Sequence, residues 1–282
     1  MRILITGVKG FLGSNLLASL REMGGYELYG LGTKEEFLEG IKVYTSKDLD
    51  SIGITPELII MCHAAVASGN TILCSERLFE SNVKLTERIV NKFQKSSIIY
   101  ISTASVYNIK ETVINEASSL NPQSDYSISK LWGERVLASN KKISIIRLSS
   151  LYGIGMKENT LIPNFINQAI KNNLIEIWGD GSRVQNYIHI NDAVRLINCL
   201  IMKYDAYNGE ILLGVSHIHY SNFEIAQIIA SITKSDFCFV DKDDSNSLIY
   251  DNNYTMKLLG WKCEERIEEK LNEYIKWKKE EF

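Results

Sequence analysis

The sequence has little proline, few cysteines and no repeated block. Only 3 of its 282 residues are proline, and no low-complexity segment occurs, so linker-rich and solenoid architectures are excluded. The cysteines lie far apart along the chain and lack the spacing of a zinc site or a CxxC motif; they are Cys62, Cys74, Cys199, Cys238 and Cys263. No metal site and no disulfide scaffold is expected.

Charge and hydropathy give no sign of a nucleic acid or a membrane as partner. The chain carries 31 basic and 34 acidic residues, a formal net charge of -3, without a basic stripe. No apolar run approaches the roughly 20 residues of a membrane helix. The N-terminal MRILITG begins a strand and does not resemble a signal peptide. We therefore expect a cytoplasmic protein that binds neither nucleic acid nor membrane.

Short apolar runs alternate with segments of helical periodicity through the first half of the chain. The apolar runs predict strands at 2–6, 27–31, 58–61, 97–102 and 143–148. The periodic segments predict helices that include 78–93 and 126–138. Such alternation predicts a doubly wound α/β fold, in which helices cover both faces of a parallel, Rossmann-like sheet.

The chain length and the looser pattern after residue 148 predict two lobes. We expect a dinucleotide-binding domain over 1–150, to which part of 186–206 returns, and a smaller α/β substrate lobe over most of 151–282. Ligands of open α/β sheets bind at the carboxyl ends of the strands. The second lobe is therefore expected to cap that edge.

A glycine-rich segment, TGVKGFLG at 6–13, lies between the first predicted strand and the first predicted helix. Gly7 suits a tight turn, Gly10 lets a pyrophosphate approach the backbone, and Gly13 lets the helix pack close to the strand. A glycine cluster alone is also compatible with a purely structural turn. Its strand-turn-helix setting predicts a dinucleotide site.

A tyrosine and a lysine share one face of a predicted helix. Tyr126 and Lys130 are four residues apart in YSISK. A nearby ammonium favours the ionised phenol, and a phenol of lowered pKa can exchange a proton with a substrate near neutral pH. The alternative is an incidental pair on a surface helix. A further segment, STASVY at 102–107, follows the fourth strand, where the crevice of the sheet opens.

Together, TGVKGFLG, STASVY and YSISK resemble the extended short-chain dehydrogenase/reductase family, in particular its nucleotide-sugar epimerases, dehydratases and reductases. The resemblance continues in CHAA at 62–65, RLSSLYG at 147–153 and GDGSRVQNYIHINDA at 179–193. It implies that Tyr126 is the general acid/base, that Lys130 activates it and binds a ribose, and that Thr103 hydrogen-bonds the reacting sugar oxygen.

The resemblance also assigns cofactor contacts. It implies that the pyrophosphate is held at the glycine loop, by Gly7, Gly10, Phe11 and Leu12 beside Gly13. It implies that Asp48 and Leu49 meet the adenine. Ala64 and Ala65 are then expected to lie along the cofactor.

The end of the second strand departs from the family pattern. The chain reads Leu31-Gly32-Thr33-Lys34 where the family has an Asp or Glu for the adenosine ribose. A missing carboxylate favours a 2'-phosphate over a free hydroxyl. Lys9 in the glycine loop and Lys34 after the second strand are predicted to reach that phosphate, and the neighbouring Thr33 is placed in the same site. The alternative is that both lysines are solvated surface residues. NADP is thus the predicted preference, with NAD as the alternative.

Substrate positions depart as well. Ser150 stands where the family has an Asn, and Gln185 where it has the Arg that grips the sugar nucleotide's pyrophosphate. Arg183, two residues away and on the same face if the segment is extended, is predicted to replace that charge. A nucleotide sugar remains the expected substrate.

Ala104 and Ser105 follow Thr103, where the family's dehydratases and decarboxylases carry an added acid/base. The expected reaction is therefore hydride transfer at C4 of a nucleotide-activated sugar, as reduction of a 4-keto-6-deoxyhexose. A 4-epimerase is the second candidate and a non-catalytic dinucleotide sensor a remote one. The helices at 78–93 and 126–138 suggest a homodimer like that of the family, although their periodicity fits a core face equally.

Overall fold

The computed structural model describes residues 1–66, 73–138 and 142–280. Within them the strands are β1 (Arg2–Thr6), β2 (Glu27–Gly32), β3 (Glu36–Leu38), β4 (Ile41–Thr45), β5 (Leu58–Met61), β6 (Ser97–Thr103), β7 (Ile143–Leu148), β8 (Ser150–Tyr152), β9 (Leu174–Trp178), β10 (Val184–Gln185), β11 (Tyr187–His189), β12 (Ile211–Gly214), β13 (Tyr220–Ser221) and β14 (Asp236–Val240). The α-helices are α1 (Phe11–Met23), α2 (Ser75–Phe79), α3 (Leu85–Lys92), α4 (Asp125–Leu137), α5 (Leu161–Asn172), α6 (Ile190–Met202), α7 (Asn222–Thr233), α8 (Asn253–Leu259) and α9 (Ile267–Glu280). A π-helical turn (Glu80–Lys84) joins α2 to α3.

One large sheet organises the described residues. Its strand order is β12-β7-β6-β5-β1-β2-β4-β3. Every neighbouring pair is parallel except β3 with β4. The chain runs outward from β1 to β2 and β4, then returns to the other side of β1 with β5. The doubly wound fold is confirmed, and its switch point lies between β1 and β5, where such folds bind ligands.

Alternating residues of each central strand enter separate cores on the two faces of the sheet. On β1, Ile3 and Ile5 belong to a core that includes α1 and α6. Leu4 belongs to the opposite core, with residues of α3 and α4. All three are fully buried. A strand buried on both faces reads as a continuous apolar run, which is why these strands are visible in the sequence.

A third core lies among α5, α7, α9 and β9. The strand β9 pairs in parallel with β14. Phe11, at the start of α1, packs against both this core and the first. The helix α6 packs with the large sheet, and β12 joins its edge beside β7. The division into lobes at residue 150 stays a prediction; the large sheet also includes β12, which lies beyond 186–206.

Membrane insertion finds no support among the helices described. None within residues 1–66, 73–138 and 142–280 has the length and apolar character of a membrane span. The longest, α9, has 14 residues and carries charges at both ends.

Candidate active site

The glycine turn between β1 and α1 is packed so tightly that side chains do not fit. Gly7 has φ +64°, and a Cβ on it would lie 2.8 Å from the backbone of His63. A Cβ on Gly13 would collide with the carbonyl oxygen of Gly7. The N-cap of α1 is Gly10, which offers no capping side chain. The first backbone N–H groups of α1 are thus left for an anion, as at other phosphate-binding helix N-termini.

His63 ties the ends of β1 and β5 together beneath this turn. Its Nδ1 lies 2.6 Å from Thr6 Oγ1, and its Nε2 lies 3.2 Å from Thr86 Oγ1 on α3. Burial lowers the pKa of the imidazole to about 3, so the ring is neutral. The adjoining backbone is held by Asn82, whose amide accepts a hydrogen bond from Ala65 N–H at 2.7 Å and donates one to Ala65 O at 3.0 Å.

The buried His63 predicts an acid-sensitive stability. The unfolded histidine titrates near 6.5, above its folded value of about 3. The unfolded state therefore binds the proton first, and the free energy of unfolding should fall as pH drops from 6.5 towards 3, by about 1.4 kcal/mol per pH unit. Urea unfolding at pH 7 and pH 5 measures this slope. His63→Gln should reduce the difference in the free energy of unfolding between pH 7 and pH 5 by about 2 kcal/mol.

Exposed His217 gives the matched control. His217→Gln removes one histidine without touching the buried contacts of His63 with Thr6 and Thr86. An unchanged slope in His63→Gln would contradict the assignment of a neutral buried ring.

Thr103, Tyr126 and Lys130 meet at one cavity of about 600 Å³. Thr103 ends β6, and Tyr126 and Lys130 lie on α4, which begins with a capping box formed by Ser124 and Ser127. The predicted site residues that line this cavity are Gly10, Phe11, Leu12, Ala64, Thr103, Tyr126, Lys130, Ser150 and Gln185. The cavity lies at the carboxyl ends of the central strands.

The ammonium of Lys130 is buried without a hydrogen-bond partner among the described residues. The side chain is 1% exposed, and its Nζ lies 4.1 Å from the centre of the Tyr100 ring. Burial lowers the pKa of Lys130 to about 7, against the opposing effect of Glu134. A buried donor left unpaired is costly. The unpartnered ammonium of Lys130 fits a hydroxyl-bearing ligand such as the ribose of NAD(P). The unpaired N–H groups at the glycine turn fit the pyrophosphate of the same cofactor.

Desolvation also governs Tyr126. It raises the pKa of the phenol to about 12, so the lowered pKa expected from its lysine neighbour is not found. The phenol is therefore protonated at neutral pH. Thr103 Oγ1 lies 2.7 Å from Ser105 Oγ and accepts a hydrogen bond from Ser105 N–H at 3.2 Å.

A buried ion pair supports α4 from behind the cavity. Glu134 accepts hydrogen bonds from Arg147 Nη2 at 2.7 Å and from Ser102 Oγ at 2.5 Å. Both charged side chains are at most 5% exposed. The pair fixes α4 against β6 and β7. The motif reading missed it, although Glu134 stands four residues after Lys130 and so on the same helix face.

The outer cofactor residues lie around the ends of β2 and β4. Thr33 and Lys34 are exposed in the turn after β2. Asp48 is exposed in a 3-10 turn after β4, whereas Leu49 in that turn is fully buried. Lys9 is not a free cation, because its Nζ lies 2.8 Å from Glu36 Oε1. The sequence reading did not single out Glu36.

Arg183 and Gln185 line a second cavity of about 600 Å³ beside the first. Gln185 reaches both cavities and donates a hydrogen bond to Asn222 Oδ1 at 2.7 Å. Arg183 Nη1 lies 3.7 Å from Asp243 Oδ2. The Nε of Arg183 and the hydroxyl of Tyr187 are buried without a hydrogen-bond partner among the described residues.

The model of the NAD dependent epimerase/dehydratase family matches residues 3–214. The chain belongs to this family, so the resemblance read from its motifs is confirmed. Like the relatives it matches, the chain is an enzyme.

Two of its relatives act on nucleotide sugars by name. The chain is 28% identical over 279 residues to GDP-6-deoxy-D-talose 4-dehydrogenase of Aggregatibacter actinomycetemcomitans, with 92% of each chain covered. It is 23% identical to dTDP-4-dehydro-6-deoxy-D-allose reductase of a Streptomyces species, over 68% of this chain and 70% of the relative.

Solved structures share the fold over the whole length. MoeE5 in complex with UDP-glucose and NAD superposes with a TM-score of 0.86 at 21% identity, covering 100% of this chain and 99% of the other. UDP-glucuronic acid 4-epimerase from Bacillus cereus, in complex with NAD, has a TM-score of 0.85 at 21% identity over 98% and 99% of the two chains. At this identity the likeness establishes the fold alone.

Proposed function

We propose that the protein transfers hydride at C4 of a nucleotide-activated hexose, and that it reduces the keto group of a 4-keto-6-deoxyhexose. The observation that carries the proposal is the buried, unpartnered Nζ of Lys130 at one cavity with Tyr126 and Thr103. Two relatives, named as a 4-dehydrogenase and a 4-dehydro-sugar reductase, support a reaction at C4.

The residues around the cavity divide the work. The glycine turn and the start of α1 would hold the pyrophosphate of the dinucleotide, and Lys130 would bind its ribose. NAD(P)H bound there would supply the hydride. Tyr126 donates its phenol proton to the C4 oxygen, Thr103 hydrogen-bonds that oxygen, and the Lys130 ammonium stabilises the phenolate that remains. The phenolate regains its proton from solvent.

A 4-epimerase is the second candidate. It uses the same side chains, with Tyr126 first accepting the C4 hydroxyl proton and later returning it. The ion pair between Lys9 and Glu36 favours it, because a carboxylate near the adenosine site suits a retained NAD more than an exchanged NADPH. The NADP preference stays a prediction: Lys34 is exposed at the end of β2, but Lys9 is already paired.

A substrate panel separates the two reactions. The protein is incubated with nucleotide 4-keto sugars and nucleotide hexoses, each with NADH and with NADPH. Cofactor oxidation in a one-to-one ratio with sugar reduced supports the reductase. Epimer formation without net change of cofactor supports the epimerase. Cofactor binding without turnover of any sugar would contradict both and favour a dinucleotide sensor.

We also propose a homodimer through the outer face of α2 and α4. The rings of Phe79 and Trp132 are in tilted contact with their centres 5.2 Å apart, and Trp132 is 52% exposed. Ile128 lies on the same helix and is 47% exposed. An exposed apolar cluster of this kind is typical of an interaction surface. The predicted helices 78–93 and 126–138 contain all three residues.

Sedimentation velocity tests the dimer. Trp132→Glu should convert a dimer to a monomer, whereas Met202→Glu, at another exposed apolar side chain, should not. A monomeric parent chain would contradict the proposal, as would a Trp132→Glu variant that remains dimeric.

A further inference from the structure

We propose that Glu36 binds the hydroxyls of the adenosine ribose and that the enzyme therefore selects NAD over NADP. This rests on the proposed function only in that the chain must bind a dinucleotide. The acidic residue that binds the adenosine ribose then lies on β3, whereas the sequence comparison places it at the end of β2. This assignment also reverses the cofactor preference expected from the sequence.

The strand β2 ends on a glycine, Gly32, and so offers no carboxylate to a ligand. Gly30 pairs with Val43 of β4, and Gly32 pairs with Thr45. A Cβ on Gly30 would lie 2.8 Å from Val8 Cγ1 of the glycine turn and 2.9 Å from Val43 Cγ2. Val8 of the glycine turn and Val43 of β4 therefore occupy the space that a side chain at position 30 would need.

The strand β3, which lies beyond β4, supplies a carboxylate near this place. The strands β3 and β4 form an antiparallel hairpin in which Glu36 pairs with Val43. The Glu36 carboxylate meets the side chain of Lys9, a residue of the glycine turn, with its Oε1 2.8 Å from Lys9 Nζ. In dinucleotide folds whose pyrophosphate rests on the first helix, the adenosine ribose lies by the end of the second strand. Glu36 is thus an acidic side chain near that end, level with Gly30 on the far side of β4.

The charges around Glu36 disfavour a 2'-phosphate. A 2'-phosphate brings about two negative charges, and Glu36 would repel it. Lys9 is neutralised by Glu36, and Lys42 is engaged by Glu35 at 3.2 Å. Lys34 is then the remaining cation of the turn after β2. A free ribose hydroxyl meets no such penalty, because it donates a hydrogen bond to the carboxylate.

The test measures dissociation constants of NADH and NADPH for the full chain by fluorescence, without any sugar. The parent protein should bind NADH at least tenfold more tightly than NADPH. Glu36→Gln should reduce that ratio at least tenfold, chiefly by improving NADPH binding, since it removes the repulsion and frees Lys9. Glu35→Gln is the matched control, because it changes the neighbouring carboxylate and should leave the ratio unchanged.

Three outcomes would overturn the inference: tighter NADPH binding by the parent, equal binding of both cofactors, or equal weakening of both in Glu36→Gln. Thermal melting of each variant separates loss of fold from loss of selectivity. Binding of neither cofactor by the folded parent would instead contradict the proposed function. The two failures are therefore distinguishable.

Discussion

Replacing Tyr126 with phenylalanine is expected to lower kcat at least about a hundredfold, because only the transferable proton is lost. The ring keeps its place on α4, so the fold and the dissociation constant of the cofactor should stay close to those of the parent chain. Steady-state rates with the substrate found in the panel measure the effect. Because the pKa of the phenol is raised to about 12, the protonated form predominates at neutral pH.

Tyr250→Phe is the matched control, because Tyr250 lines the same cavity from outside α4. It should remain within a few-fold of the parent rate. A Tyr126→Phe variant that also turns over within a few-fold would end the assignment of Tyr126 as the acid.

Removing the charge of Arg183 is expected to raise the KM for a nucleotide sugar about tenfold or more, with the cofactor affinity unchanged. A diphosphate entering a cavity needs paired positive charge or several donors. Arg183 lines the second cavity, and its Nε has no hydrogen-bond partner among the described residues. The measurement is KM for Arg183→Ala, beside the dissociation constant of NADH.

Asp243 complicates this substitution, because it lies 3.7 Å from Arg183 and is left unpaired by the change. The double variant Arg183→Ala with Asp243→Asn separates lost attraction from newly exposed negative charge. Gln185→Arg should leave substrate binding equal or tighter, since it restores the family's residue. If Arg183→Ala has no effect and Gln185→Arg blocks activity, the cavity does not take a sugar diphosphate.

The sequence was informative where function depends on local spacing. The glycine turn is such a case, because Gly7 and Gly13 are required within one strand-turn-helix unit. Tyr126 and Lys130 are another, since helical periodicity alone places them on one face. Strands buried on both sides, such as Leu58–Met61, were visible as continuous apolar runs.

The sequence was uninformative where partners lie far apart along the chain. Glu36 is 27 residues from Lys9, and the hairpin that carries Glu36 begins with a strand of only three residues, β3. Such a short strand gives no periodicity to read. Burial was hidden too: proximity of Lys130 predicts a lowered phenol pKa, whereas desolvation raises the pKa of Tyr126 to about 12.

The segment 78–93 shows a third kind of difference. Its periodicity predicts one regular helix, but a π-helical turn at Glu80–Lys84 interrupts it. The turn includes Asn82, which is fully buried and hydrogen-bonds both Ala65 and Ser129. A π turn of this kind often marks a functional site, and propensities do not reveal it.

Transfer of label from deuterated cofactor tests the central claim most directly. NADH carrying deuterium at both C4 positions, and NADPH alongside it, is incubated with the enzyme and a nucleotide-linked 4-keto-6-deoxyhexose. The product is then examined by NMR and mass spectrometry. Hydride transfer at C4 predicts one deuterium on C4 of the sugar for each cofactor oxidised. Cofactor oxidation with deuterium on another carbon, or with none in the sugar, would contradict it.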